Sequence, residues 1–166
     1  MKTILIFTCL SFFYIAASAQ SPEEKLRELN IELVEVTEPA ANYVKWRRVG
    51  NLLFLAGDGS EMKGKLGKDL SIEQGYAAAR QTGIDILSTL KAATGDLSKI
   101  KQFVKVRGMV NSTRDFYDQP KVINGFSDLM VEVFGEKGKH ARAAVGHCSL
   151  PSNIAVEIEV VVELTD

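Results

Sequence analysis

The stretch that most limits what this chain can become lies near its end, where Val156, Ile158, Val160 and Val162 alternate with Glu157, Glu159, Val161 and Glu163. Side chains of an extended strand point alternately to its two sides, so one face here is wholly apolar and the other carries three carboxylates. Such a strand buries one side against helices and turns the other outward. Upstream, Leu150-Pro151-Ser152-Asn153 reads as a turn. The residues from Arg142 onward read as a second β-segment, so 142–163 is expected to form an antiparallel hairpin. In a hairpin, Arg142 at the opening and Glu157 beyond the turn would approach a common mouth. An arginine fork beside a carboxylate can hold an organic acid with a proton donor or acceptor at hand.

The rest of the chain supplies the layer that such a strand needs. Ser21-Pro22-Glu23-Glu24 opens a short helix to about residue 29, residues 31–36 are extended, and Thr37-Glu38-Pro39 is a polar link. Residues 44–49 and 52–56 flank Gly50-Asn51 as a β-hairpin. A glycine-rich loop with Gly57, Gly59, Gly64 and Gly67 follows. It lacks the spacing of a phosphate-binding loop and reads as a pocket rim. Ser71-x-x-Gln74 is a capping box, and Tyr76, Ala79, Gly83, Ile86, Leu87 and Leu90 continue at helical spacing to about Gly95. Gly83 inside that helix suggests close approach to a sheet. Residues 103–110 form a strand. Asp118 is placed to cap a second helix whose buried stripe is Phe126, Leu129, Met130 and Val133, with Gly135 ending it. The expected class is therefore α+β: two layers, with two helices on one face of a mainly antiparallel sheet. The other face of the sheet has no segment left to cover it, which points to a ring oligomer with ligand clefts between subunits.

The chain begins with Lys2, an apolar run from Ile4 to Ala16 and the small-x-small sequence Ala17-Ser18-Ala19. This is the pattern of a secretory signal peptide, so residues 1–19 are set aside, and the mature protein is expected to be exported, periplasmic or secreted, and not held in the membrane. Residues 20–40 form a lead-in and 41–166 the domain; the roughly 145 residues remaining suit one core. Cys9 leaves with the signal, so Cys148 has no intramolecular partner. Removing Lys2 lowers the 20 basic side chains by one against 21 acidic ones. A near-neutral surface without a clustered basic excess or a series of stacking aromatics excludes nucleic acid as an obligate partner. His147 and Cys148 are adjacent and would point to opposite faces of a strand, so they do not make a nucleophile and base. His140 and His147 lack a third ligand, and no metal or other cofactor is expected.

Several stretches together carry a resemblance: Ala41-Asn42-Tyr43-Val44, Val49-Gly50-Asn51-Leu52 through Gly57, Asn124, Ala141-Arg142-Ala143-Ala144-Val145, Leu150-Pro151 and Val156-Glu157-Ile158-Glu159. The chain resembles the RidA/YjgF family, also called endoribonuclease L-PSP and grouped with chorismate-mutase-like folds. The resemblance implies a homotrimer with three clefts between subunits. It implies that Arg142 holds the substrate carboxylate, that Glu157 lies by the attacking water, and that Tyr43, Asn124 and the backbone of Ala144 line the cleft. The implied reaction is hydrolysis of reactive 2-enamino or 2-imino acids to 2-keto acids and ammonia. An imine is already electrophilic, so holding its carboxylate, placing water and moving protons suffices without a cofactor. The bland alternatives are an ion pair for Arg142, an outward strand position for Glu157, packing for Tyr43 and a local hydrogen bond for Asn124. Ala56 stands where many active members have serine, and Asp58 where glutamine is common. The first removes a hydroxyl and the second is expected to add a carboxylate that repels an acidic substrate. A module that binds small carboxylates without turnover, or a protective trimer, is the alternative.

Overall fold

The computed structural model describes residues 20–39 and 41–165. The expected signal segment, residues 1–19, lies outside them.

Helix α1 (Pro22–Glu28) starts as its sequence demands. The Ser21 hydroxyl accepts from the Glu24 N–H, and the Glu24 carboxylate accepts from the Ser21 N–H at 2.8 Å. Its one buried residue, Leu26, joins the main core. Glu23 accepts from Lys91 Nζ and from the Leu97 N–H, both at 2.8 Å. The lead-in is thus fastened to the body, and residues 31–39 enter no strand. Val34 donates its N–H to Ser88 Oγ instead, at 3.1 Å.

Strands β1 (Trp46–Val49) and β2 (Leu52–Leu55) form the expected hairpin, with Gly50 at φ 57° in the turn. The loop read as a rim contains a two-residue strand, β3 (Asp58–Gly59). It pairs with β6 (Val156–Leu164), as β2 does. Helix α2 (Ile72–Thr94) has both halves of the Ser71/Gln74 capping box and ends on left-handed Gly95. Helix α3 (Gln119–Phe134) does not use Asp118 as a cap. That residue sits at φ −96°, ψ 24°, and its carboxylate pairs with Lys121 at 3.0 Å. Pro at the helix start removes one of the donors that a cap would satisfy.

Gly83 permits a close approach, but between helices: a Cβ there would meet Leu129, Phe126 and Met130 of α3, not the sheet. On α3, Gly125 lies against the backbone of Tyr76 so closely that any Cβ would collide with its carbonyl. The two helices are therefore packed together at two glycines.

The sheet order is β1-β2-β6-β4-β5, where β4 is Ile100–Asn111 and β5 is Ala141–His147. The α+β, two-layer reading holds: helices cover one face, and every strand pair is antiparallel except β4 with β5. The closing hairpin does not form. Between β5 and β6 the chain makes a short 3₁₀ turn at Pro151–Asn153, but β4 lies between the two strands and pairs with both. The helix α3 connection makes β4 and β5 parallel neighbours, as a crossover does. Alternation in β6 is as its sequence reads: Val156, Ile158, Val160 and Val162 are at most 1% exposed.

Candidate functional site

Arg142 lies on β5, the edge strand, directly opposite fully buried Val106 of β4. Residues opposite each other share a side of the sheet, so its side chain leaves on the helix side and reaches α3. There Nη1 donates to Asn124 Oδ1 and to Ser127 Oγ, each at 2.9 Å. Asn124 and Ser127 are three apart on the helix and so project together. Among the described residues no carboxylate pairs with Arg142, so the ion-pair role is not seen. Beyond Ser127 lies His140, with Nε2 at 3.1 Å from Ser127 Oγ and Nδ1 at 2.7 Å from the Gly138 carbonyl. Its ring stands edge-on to Phe126, with centroids 5.8 Å apart. Burial, and then the positive charge of Arg142, push its pKa below the usual histidine value, against the Gly138 bond.

Glu157 is elsewhere. It sits opposite Met109 on the outer face, and its carboxylate lies over Gly57, where any Cβ would strike it. Because β4 separates β5 from β6, Arg142 and Glu157 are two strands apart and on opposite faces of one subunit. The expected common mouth is absent. Tyr43 precedes β1, the opposite edge of the sheet from β5, and is 55% exposed. Four strand spacings, about 19 Å, separate those two edges. Asn124 is thus the one wall residue brought to the guanidinium by its side chain, and Ala144 follows two positions along on β5.

Asp58 does not approach Arg142. Opposite Ile158, it turns toward α2 into a cavity it shares with Lys45, Glu61 and Asp85. Burial raises the pKa of both aspartates, and Lys45 partly offsets this. The expected repulsion of an acidic ligand therefore has no geometric basis in one subunit. Ala56 is bonded through its N–H to the Lys45 carbonyl at 2.9 Å and places only a methyl group beside Gly57. His147 ends β5, while Cys148 follows it as an exposed free thiol. Among the described residues no group of three metal-binding side chains occurs, and no helix is long and apolar enough to cross a membrane.

The model of the YjgF/chorismate mutase-like endoribonuclease family matches residues 23–164. The chain belongs to this family. The protein TCP17 of Trypanosoma cruzi is 42% identical over 148 residues, covering 85% of this chain and 92% of that protein. A protein of unknown function from Agrobacterium tumefaciens has a structure that superposes with TM-score 0.79 at 41% identity, over 86% of this chain and 91% of its own. A Shewanella oneidensis structure named as an endoribonuclease reaches TM-score 0.84 at 33% identity, over 87% and 100%. The family match includes α1, consistent with Leu26 belonging to the shared core.

In this member of the YjgF family, sequence reasoning passes over two residues of the arginine cluster. Ser127 has one visible signal: with Asn124 it forms a polar pair one helical turn apart beside the apolar stripe of α3. His140 has none, since only the packing of Phe103 and Phe126 around it shows that it is half-buried.

Proposed function

We propose that this protein is a homotrimer whose intersubunit clefts hydrolyse 2-imino and 2-enamino acids to 2-keto acids and ammonia. One observation carries the reading: a half-buried arginine whose Nη1 is held by Asn124 and Ser127, with no carboxylate partner among the described residues. A planar guanidinium held in this way is suited to an organic carboxylate. The separation of Arg142 from Glu157 and Tyr43 supports a site built from two subunits, with the β5 edge of one meeting the outer sheet face of the next. That outer face is the surface available for such a contact, with Phe54 43% and Val145 36% exposed.

In this reading Arg142 holds the substrate carboxylate, and Tyr43, Asn124 and the Ala144 backbone bound the cleft. A 2-enamino acid first gains a proton at C3 and loses one from nitrogen to give the imine. Glu157 takes a proton from water as the water oxygen bonds to the C=N carbon, and returns it to nitrogen to give a carbinolamine. As the C–N bond breaks, the hydroxyl proton passes to nitrogen, so that ammonia leaves and the 2-keto acid remains. No cofactor takes part. Ammonia release from an imino acid generated in situ should fall to background in Arg142→Ala, with sedimentation giving a three-subunit mass for both proteins. Equal rates in the two proteins would remove the proposal.

The methyl group of Ala56 in place of a hydroxyl favours a second reading, in which the same cleft binds a small carboxylate without turnover. Calorimetric binding of 2-keto acids with no ammonia produced would select it. We also propose export after removal of residues 1–19; the mature protein should begin at Gln20 on N-terminal sequencing.

A further inference from the structure

We propose that Ser127 and His140 are positioning residues, a directional hydrogen-bond relay that holds the Arg142 guanidinium in the pose that receives a carboxylate. The proposal rests on the anchoring role of Arg142 given above and deepens it. A count of hydrogens sets the direction of the relay. The Gly138 carbonyl can only accept, so His140 Nδ1, 2.7 Å away, carries the hydrogen. In a neutral ring Nε2 is then an acceptor, and the Ser127 hydroxyl at 3.1 Å donates to it. With its hydrogen committed, Ser127 Oγ presents a lone pair to Arg142 Nη1 at 2.9 Å. The second hydrogen on that nitrogen goes to Asn124 Oδ1.

Both hydrogens of Nη1 are therefore committed, and because the group is planar, holding one nitrogen on two sides sets the whole plane. Nε and Nη2 keep the three remaining hydrogens for a ligand. A protonated His140 would undo this arrangement. Nε2 would become a donor, Ser127 Oγ would accept from two cations, and its own hydrogen would lose its acceptor. The groups facing the imidazole resist protonation. Phe126 of α3 and Phe103 of β4 flank it with uncharged rings. Arg142 of β5 is the charge that acts on it. The neighbouring Lys139 ammonium is occupied by Glu136 at 2.7 Å.

The test is calorimetric titration of the mature protein with 2-ketobutyrate at pH 7.5. Ser127→Ala and His140→Phe, which remove the hydroxyl and the acceptor, should each weaken binding about tenfold, the effect of one hydrogen bond to a charged group. Ser127→Thr and His140→Gln, which restore them, should bind within about twofold of the wild type. Arg142→Ala should not bind. Wild-type affinity in Ser127→Ala and His140→Phe, with binding lost in Arg142→Ala, would overturn the relay and leave the anchor standing. If neither wild type nor Arg142→Ala binds, the anchor fails, and the relay is then judged without ligand. The chain has two histidines, so ¹⁵N spectra of the imidazoles, assigned with His147→Asn, report His140 directly. The relay requires the Nδ1–H tautomer, with nitrogen shifts that move in Ser127→Ala. The opposite tautomer, or shifts indifferent to that change, would sink it.

Discussion

On the helix side of β6, Val156, Ile158, Val160, Val162 and Leu164 are at most 6% exposed, because α2 and α3 close over them. On the other side of the same strand, Glu157, Glu159, Val161 and Glu163 stay partly accessible, on the same face as Phe54 of adjacent β2 and Val145 of β5 beyond β4. One side is completed by the chain's own helices and the other is not. The chemical groups divide in the same way: Arg142 belongs to the helix side, where α3 orients it, and Glu157 to the outer side over Gly57. In the proposed reading a single subunit thus holds two half-sites facing away from each other, and symmetric association is the simplest means of joining unlike halves.

The comparison can be broken first in the helical layer. Gly125→Ala drives a methyl group into the Tyr76 carbonyl, and a loss on the order of 3 kcal/mol in denaturant unfolding is expected. A tolerated alanine would mean that the helices need not touch. Ile158→Ala, on the covered side of β6, should cost about 2–4 kcal/mol at every protein concentration, as a truncation in a closed core does. Phe54→Asp, on the uncovered side, should cost a lone subunit no more than about 0.5 kcal/mol while reducing the proposed trimer to a single sedimenting subunit. A variant that stays assembled would show that the outer face is not the contact.

The smallest effect concerns the Asp58 cavity. Its carboxyl pKa is raised in the folded protein, so the folded state binds its proton more tightly than the unfolded chain does. The stability linked to that proton is fully present below the ordinary aspartate pKa and is lost as pH rises through the folded value. Asp58→Asn should therefore stabilise the protein at neutral pH, with the gain fading as pH falls toward that of a free carboxyl. Melting temperatures of both proteins across pH 3–8 would test the sign, and a gain that grows on acidification would contradict it.

Much of this molecule was legible in its sequence where the deciding interactions are local. The Ser21 cap, the Ser71/Gln74 capping box, the Gly50 turn, the ends of α2 and the alternation of β6 involve neighbours a few residues apart, and each is found in the structure. Reading failed where a partner had to be chosen from a distance. The turn at Pro151–Asn153 suggested that β5 and β6 pair, yet the edge of β6 was taken by β4, which sets nine of its twelve residues opposite β6. Gly83 signalled close packing, but against the sheet, whereas its neighbour is α3, and Asp58 changed sides because β3 pairs with β6 in a register that aims it at α2.

The sequence alone determined the layers: periodicities of two and of 3.6 decide which side of each element avoids water, and that is enough for an α+β sandwich with one side left open. Only the tertiary structure decided that β4 sits between β5 and β6, and with it that Arg142 and Glu157 leave the sheet on opposite faces. Strand order depends on which backbone edges meet after collapse, a competition among segments far apart in the chain that no local pattern records.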